Sequence, residues 1–186
     1  MQSFAILGTH QAISVAEIAE LSHKEPVFAN EIIALYEDAW KDASELMRTS
    51  GSVQKLGRIV KTAPKQATEF DLRTVLLEVL ENLPEGKIHF GLSVYGEDKD
   101  ADRIGRFLPS LGINLKRDLA QKGRSARVVS TKGNALPAAS IMANKLISKG
   151  AEIILLPPST SSSLASPKRY KTSICGYSMT VAALVP

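Results

Sequence analysis

The chain has 186 residues and a mass of 20.1 kDa, enough for one medium domain or two small ones. Hydrophobic residues make up 44% and charged residues 23%, while aromatics are only 5%, so the core rests mainly on Ile, Leu, Val and Ala. A single cysteine, Cys175, excludes an internal disulfide and a multi-cysteine metal site, and the formal charge of +4 hides an asymmetry: residues 1–86 hold 8 Lys/Arg against 13 Asp/Glu, residues 87–186 hold 15 against 6.

Ser3–Gly8 (SFAILG) predicts a buried strand, a short apolar run closed by Gly and Thr. Ser14 with Glu17 three residues later matches a capping box, so a helix is expected from Ser14, with Val15, Ile18 and Ala19 inward and Pro26 as its end. Asn30–Tyr36 predicts a second strand, Lys41–Thr49 a short helix with Leu46 and Met47 inward, and Val53–Thr62 a third strand with Gly57 as a bulge or close-approach point. This β-α-β-α-β order is that of an α/β sandwich with helices on one face of a sheet.

Glu69–Glu81 predicts a helix with Phe70, Val75, Leu76, Val79 and Leu80 at helical spacing and Thr68 as N-cap. Lys87–Gly96 (KIHFGLSVYG) predicts a strand, because Ile88, Phe90, Leu92 and Val94 alternate with polar or small residues. Asp102–Leu108 and Asn114–Gln121 are expected as two helices separated by Pro109 and Gly112, the second closed by Gly123. A strand over 126–131, a helix over 137–148 and a strand over 152–156 follow. Pro157–Pro167 reads as a Pro/Ser-rich linker and Lys168–Pro186 as an irregular tail. No apolar run approaches the ~18 residues that span a bilayer, and MQSFAILGTHQ lacks the pattern of a signal peptide, so a cytoplasmic location without membrane contact is expected.

Several chemistries find no support. The chain has neither a G-x-x-x-x-G-K-[ST] phosphate loop nor a G-x-G-x-x-G turn. His10, His23 and His89 lack metal-ligand spacing, and Cys175 has no local base to activate it. Glu97, Asp98, Asp100 and Asp102 read as a solvated turn leading into a helix, not as a calcium loop. Leu156-Pro157-Pro158-Ser159 is set aside as an amino-methyltransferase motif, because its polar first residue and its aromatic last residue are both absent. No cofactor site, no metal site and no catalytic residue is expected in these 186 residues.

The informative segment is basic. From Arg103 to Lys149 there are ten Lys/Arg and one acid, Asp118, a balance that suits a polyanionic partner. Lys116 and Arg117 are expected on a helix, Lys122, Arg124 and Arg127 around a Gly turn, Lys132 in a loop, and Asn144 and Lys145 on the next helix. These eight residues are the candidate RNA-binding set, the cations through phosphates and Asn144 through RNA or a local backbone group. Little aromatic residue is interleaved, which favours backbone or shape recognition of a structured RNA over stacking of unpaired bases.

The order KIHFGLSVYG, LKRDL, KGRSARVV, Lys132, LPAASIMANKL and KGAEIILL resembles a THUMP domain, the RNA-binding module of several tRNA-modifying enzymes. FAILGTHQAISVAEIAEL and GSVQKLGRIV are similar to the opening of tRNA guanine-N2 methyltransferases, where a ferredoxin-like domain precedes THUMP; the resemblance covers about residues 3–156. It implies an α/β (α+β type) fold with a ferredoxin-like domain over 1–66, a THUMP-like RNA-binding domain over 67–157, and a linker and tail over 158–186. It also implies tRNA as the partner, positioned for an S-adenosylmethionine-dependent methyltransferase domain that these residues do not contain. Tyr170–Ile174 and Gly176–Ser178 are similar to the segment that leads into that domain, but the residues expected next are replaced by MTVAALVP. One expectation is therefore a truncated or frameshifted gene; another is a separate methyltransferase subunit. The competing readings are a remnant of an RNA methyltransferase and a scaffold that binds no RNA.

Overall fold

The computed structural model describes residues 2–64, 66–96, 99–157 and 178–184. In sequence order these form β1 (Ser3–Leu7), α1 (Gln11–Ser22), β2 (Phe28–Ala29), β3 (Ile33–Tyr36), α2 (Ala43–Thr49), β4 (Val53–Pro64), α3 (Glu69–Glu81), β5 (Ile88–Val94), α4 (Lys99–Gln121), β6 (Ala126–Val129), α5 (Ala138–Ala143), α6 (Leu146–Lys149), β7 (Gly150–Leu156) and β8 (Ser178–Leu184). The strands make one mixed sheet in the order β2-β3-β1-β4-β8-β7-β5-β6. Pairing is antiparallel from β2 to β7 and parallel between β7, β5 and β6.

Period-two alternation sorts the side chains between two faces. On β5, Ile88, Phe90, Leu92 and Val94 join Leu72, Leu76 and Leu80 of α3 and the α4 stripe. On β1, Ala5 and Leu7 join Ile18 of α1 and Leu46 of α2, whereas Phe4 and Ile6 turn to the opposite face. There they share a cluster with Ile154 and Leu156 of β7, Ile141 of α5 and Leu146 of α6. Helices α1 to α4 thus cover one face and α5 and α6 the other. Each fully buried Leu or Ile in these clusters is worth about 1.5–3 kcal/mol relative to exposure.

Locally specified elements follow the sequence closely. The α3 helix begins and ends where expected, and Thr68 forms a reciprocal capping box with Asp71. Its inward face is Leu72, Leu76 and Leu80, however, and Phe70 is 74% exposed. Phe70 stands two residues from Leu72, about 200° away around the helix, so it points away from the core.

Five further expectations are corrected. The α1 helix starts at Gln11, one turn before Ser14, and the imidazole of its N-cap residue, His10, makes no capping hydrogen bond. Ser14 is buried inside the helix, accepting from the Gly8 N–H at 3.2 Å and donating to the Ser52 carbonyl at 2.8 Å. Glu17 reaches across to the turn before β4, where it accepts from the Gly51 N–H and Ser50 Oγ at 2.8 Å and from the Ser52 N–H and Oγ. Led by the Gly51 bond, these donors lower the Glu17 pKa to about 2. The Ser14–Glu17 pattern is spent on tertiary bonds, not on a cap. The strand expected over 30–36 starts later, as β3 at Ile33: residues 30–32 form the turn between β2 and β3, in which Asn30 Oδ1 accepts from the N–H groups of Ile32 and Ile33.

The two helices expected around Pro109 are one, α4. Pro109 removes one backbone donor, but Ile104 and Leu108 before it and Leu111, Leu115 and Leu119 after it lie on one buried stripe, and that burial carries the helix through. Conversely, the helix expected over 137–148 breaks into α5 and α6, because Lys145 adopts a left-handed conformation at φ 54°. Finally, the expected irregular tail contains a strand. β8 lies in the middle of the sheet, pairing with β4 from Arg58↔Ala183 to Pro64↔Ser178 and with β7 from Glu152↔Leu184 to Leu156↔Thr180. The boundary expected between 66 and 67 falls in the β4–α3 turn, and the sheet runs on past it through β8.

Candidate nucleic-acid interface

β6 is the last strand of the sheet, and its side away from β5 is open among the described residues. Its register is set by parallel pairing with β5, in which Arg127 stands beside His89, and His89 in turn beside Gly150 of β7. This row belongs to the face covered by α5 and α6. His89 Nδ1 lies 3.0 Å from the Asn144 carbonyl, which fixes the α5–α6 break next to the row. Arg127 and Lys145, both exposed, are thereby placed on the same part of the surface.

Lys116 approaches the open strand from the other face. One turn before it on α4, Gly112 packs so closely that a Cβ there would meet Val128 Cγ1 of β6 at 3.0 Å. The row Gly112–Lys116 therefore overlies β6, and Lys116 is exposed at its end. Lys132, also exposed, lies in the loop after β6, past the end of the strand opposite to Arg127, where the Asn134 carbonyl accepts from the Val94 N–H at the far end of β5. Lys116, Arg127, Lys132 and Lys145 have no ion pair among the described residues; Lys116, Arg127 and Lys145 rim one end of the β6 edge and Lys132 extends that rim past the other. Arg117 is also exposed but turns about 100° further around α4, beyond this rim.

The other three candidates are engaged. Arg124 sends its guanidinium to the end of α3, donating to the carbonyls of Leu80 at 3.1 Å, Glu81 at 2.6 Å, Leu83 at 2.6 Å and Pro84. A helix C-terminus leaves carbonyls without helical donors, so Arg124, from a distant segment, caps the end of α3. Gly123, at φ 77°, makes the turn that aims it. Lys122 pairs with Glu81 of the same helix end. Asn144 donates from Nδ2 to the Ser140 carbonyl at 2.9 Å, a local backbone role.

Among the acids singled out, Asp100 receives the Arg103 guanidinium at 3.3 Å and lies with Asp102 in the first turn of α4. Glu97, Asp98, Pro158, Ser159, the 170–177 segment and Cys175 lie outside the described residues. The lone acid of the basic stretch, Asp118, is held by Arg73 of α3 through two hydrogen bonds, at 2.6 Å and 2.5 Å. That guanidinium keeps the Asp118 carboxyl below the ordinary range despite burial. The stretch thus presents to solvent almost nothing that would repel an anion.

Sequence reasoning passed over a buried polar network behind this surface. Lys55 of β4, only 6% exposed, donates to Glu152 Oε1 of β7 at 2.6 Å and to the Leu136 carbonyl at 2.9 Å. Ser93 of β5 donates to the same Oε1 at 2.5 Å. Burial pushes the Glu152 carboxyl up against the pull of Lys55. The signal for it was present: Glu152 opens an otherwise apolar run, EIILL, where a charge is costly unless paired. Its partner lies 97 residues away, at a distance no local pattern reaches.

No helix among the described residues is long and apolar enough to cross a membrane. No family model matches the chain, and no curated protein shows significant similarity to it.

Proposed function

We propose that the protein is an RNA-binding module, a ferredoxin-like unit followed by a THUMP-like unit, that grips structured RNA, tRNA in the first place, and holds it for a separately supplied methyltransferase activity. The observation that carries this reading is the rim of four cations, Lys116, Arg127, Lys132 and Lys145, around an open strand edge, with the acid of the same stretch neutralised by Arg73. Flexible ammonium groups and a guanidinium at such a rim can follow a phosphate backbone without reading bases. The contribution is positioning and not bond chemistry.

The test is a salt titration of tRNA binding. Four phosphate contacts give a slope of about −3 to −4 in log K against log salt, from roughly 0.7–0.9 counterions released per contact. A shared affinity across unrelated tRNAs, falling with this slope, is the expected result. An affinity independent of salt, or no retention of tRNA at low salt, removes the proposal and favours a scaffold role.

A further inference from the structure

The buried network converges on one residue of the loop between β6 and α5. Leu136 is 2% exposed, and both of its backbone groups are held from below. Its carbonyl accepts from Lys55 Nζ at 2.9 Å, and its N–H donates to Ser93 Oγ at 2.9 Å. Lys55 and Ser93 are in turn joined through Glu152 Oε1. The Leu136 side chain sits over Gly91, where a Cβ would approach Leu136 Cδ1 to 2.2 Å, so β5 leaves room for it. Two residues earlier, the Asn134 carbonyl accepts from the Val94 N–H at 2.7 Å. Four residues earlier stands the exposed Lys132, at the far end of the cationic rim.

A buried ion pair is an expensive way to join strands, since well-packed apolar side chains of similar size often serve as well or better. What Lys55 and Glu152 supply that apolar groups cannot is directed hydrogen bonding to a loop backbone. Within the loop itself, the Gly133 N–H reaches Thr131 Oγ1 at only 3.5 Å, a weak local turn. We propose that Lys55 and Glu152, acting through Ser93 and Leu136, are positioning residues that set the β6–α5 loop and thereby the place of Lys132 at the anion-binding rim. The half of this proposal that concerns binding rests on the RNA reading above; the half that concerns the loop does not.

Amide hydrogen exchange on the full-length protein reads the loop directly, and unfractionated tRNA is the probe for binding. In E152Q and in the double variant K55M/E152M, exchange at the Leu136 amide accelerates by about 10-fold or more while protection of Leu76 in α3 is unchanged. The double variant is included because it removes both charges and leaves no unpaired ion in the core. Binding of tRNA weakens about as much in K55M/E152M as in K132A, and the triple variant is no weaker than either. Unchanged exchange at Leu136 in the double variant overturns the proposal. So does faster exchange accompanied by a binding loss that simply adds to that of K132A, because positioning through Lys132 requires non-additivity. If K132A leaves tRNA retention intact, the RNA reading of this loop fails instead, and the loop role is decided by the exchange result alone.

Discussion

The seam between α3 and α4 and the edge along β6 draw cations from the same basic stretch and use them differently. At the seam, Lys122 meets Glu81, Arg124 caps four carbonyls at the end of α3, and Arg73 of α3 holds Asp118. Around β6, Lys116, Arg127, Lys132 and Lys145 stand without an ion pair among the described residues. Formal charge is the same in both places. At the seam it completes the fold; at the edge it remains available to an outside anion. A count of Lys and Arg therefore overstates the number of unpaired surface cations wherever a helix end with free carbonyls lies within reach of the same segment.

The largest effect is expected from charge reversal at the edge. The triple variant K116E/R127E/K145E should bind tRNA at least about 100-fold more weakly, which is about 2.7 kcal/mol, while urea denaturation shows a stability within about 0.5 kcal/mol of the parent. A large loss of stability would mean that the edge cations are structural after all. At the seam the pattern inverts. Arg124→Ala should cost about 1–3 kcal/mol in denaturation, through the loss of a shared donor to several carbonyls, with tRNA affinity of the folded protein changed less than about twofold. A tenfold loss of affinity at unchanged stability would return Arg124 to the binding set.

Asp118 gives a pH-dependent version. Its folded pKa is lowered by the Arg73 hydrogen bonds, so the pair stabilises the fold above the unfolded value of about 4 and that contribution fades as pH falls through the lower folded value. Asp118→Asn should cost about 1–2 kcal/mol at neutral pH and flatten the acid limb of the stability curve, as measured by thermal melts from acid to neutral pH. The smallest effect belongs to Lys122→Ala, where a mostly solvated pair is lost and about 0.2–1 kcal/mol is expected in urea denaturation.

The legible parts of the fold are those specified by neighbours along the backbone. Thr68 reads as the N-cap just before the apolar period, and α3 starts directly after it. Ile88, Phe90, Leu92 and Val94 alternate, and β5 faces its core accordingly. Pro109 misleads because its local cost is real but smaller than the burial of the stripe that runs past it. Ser14 and Glu17 mislead because their oxygens find better donors and acceptors in the turn at Ser50–Ser52, more than thirty residues away. Among the candidate binding residues, composition marked out one stretch but could not separate Arg124 from Arg127. The two are three residues apart, and only the fold sets one beneath the end of α3 and the other on the rim.

Hydrophobic period, capping and charge are properties of short segments, so the order of residues was enough to locate most helices and strands and to show that the second half of the molecule is cationic. Three outcomes came from folding alone: which cations are left over, the entry of β8 into the middle of the sheet, and the meeting of Lys55 with Glu152 behind the β6–α5 loop. They depend on strand register and on hydrogen-bond partners separated by tens of residues, and a donor's partner exists only once folding has brought it within about 3 Å.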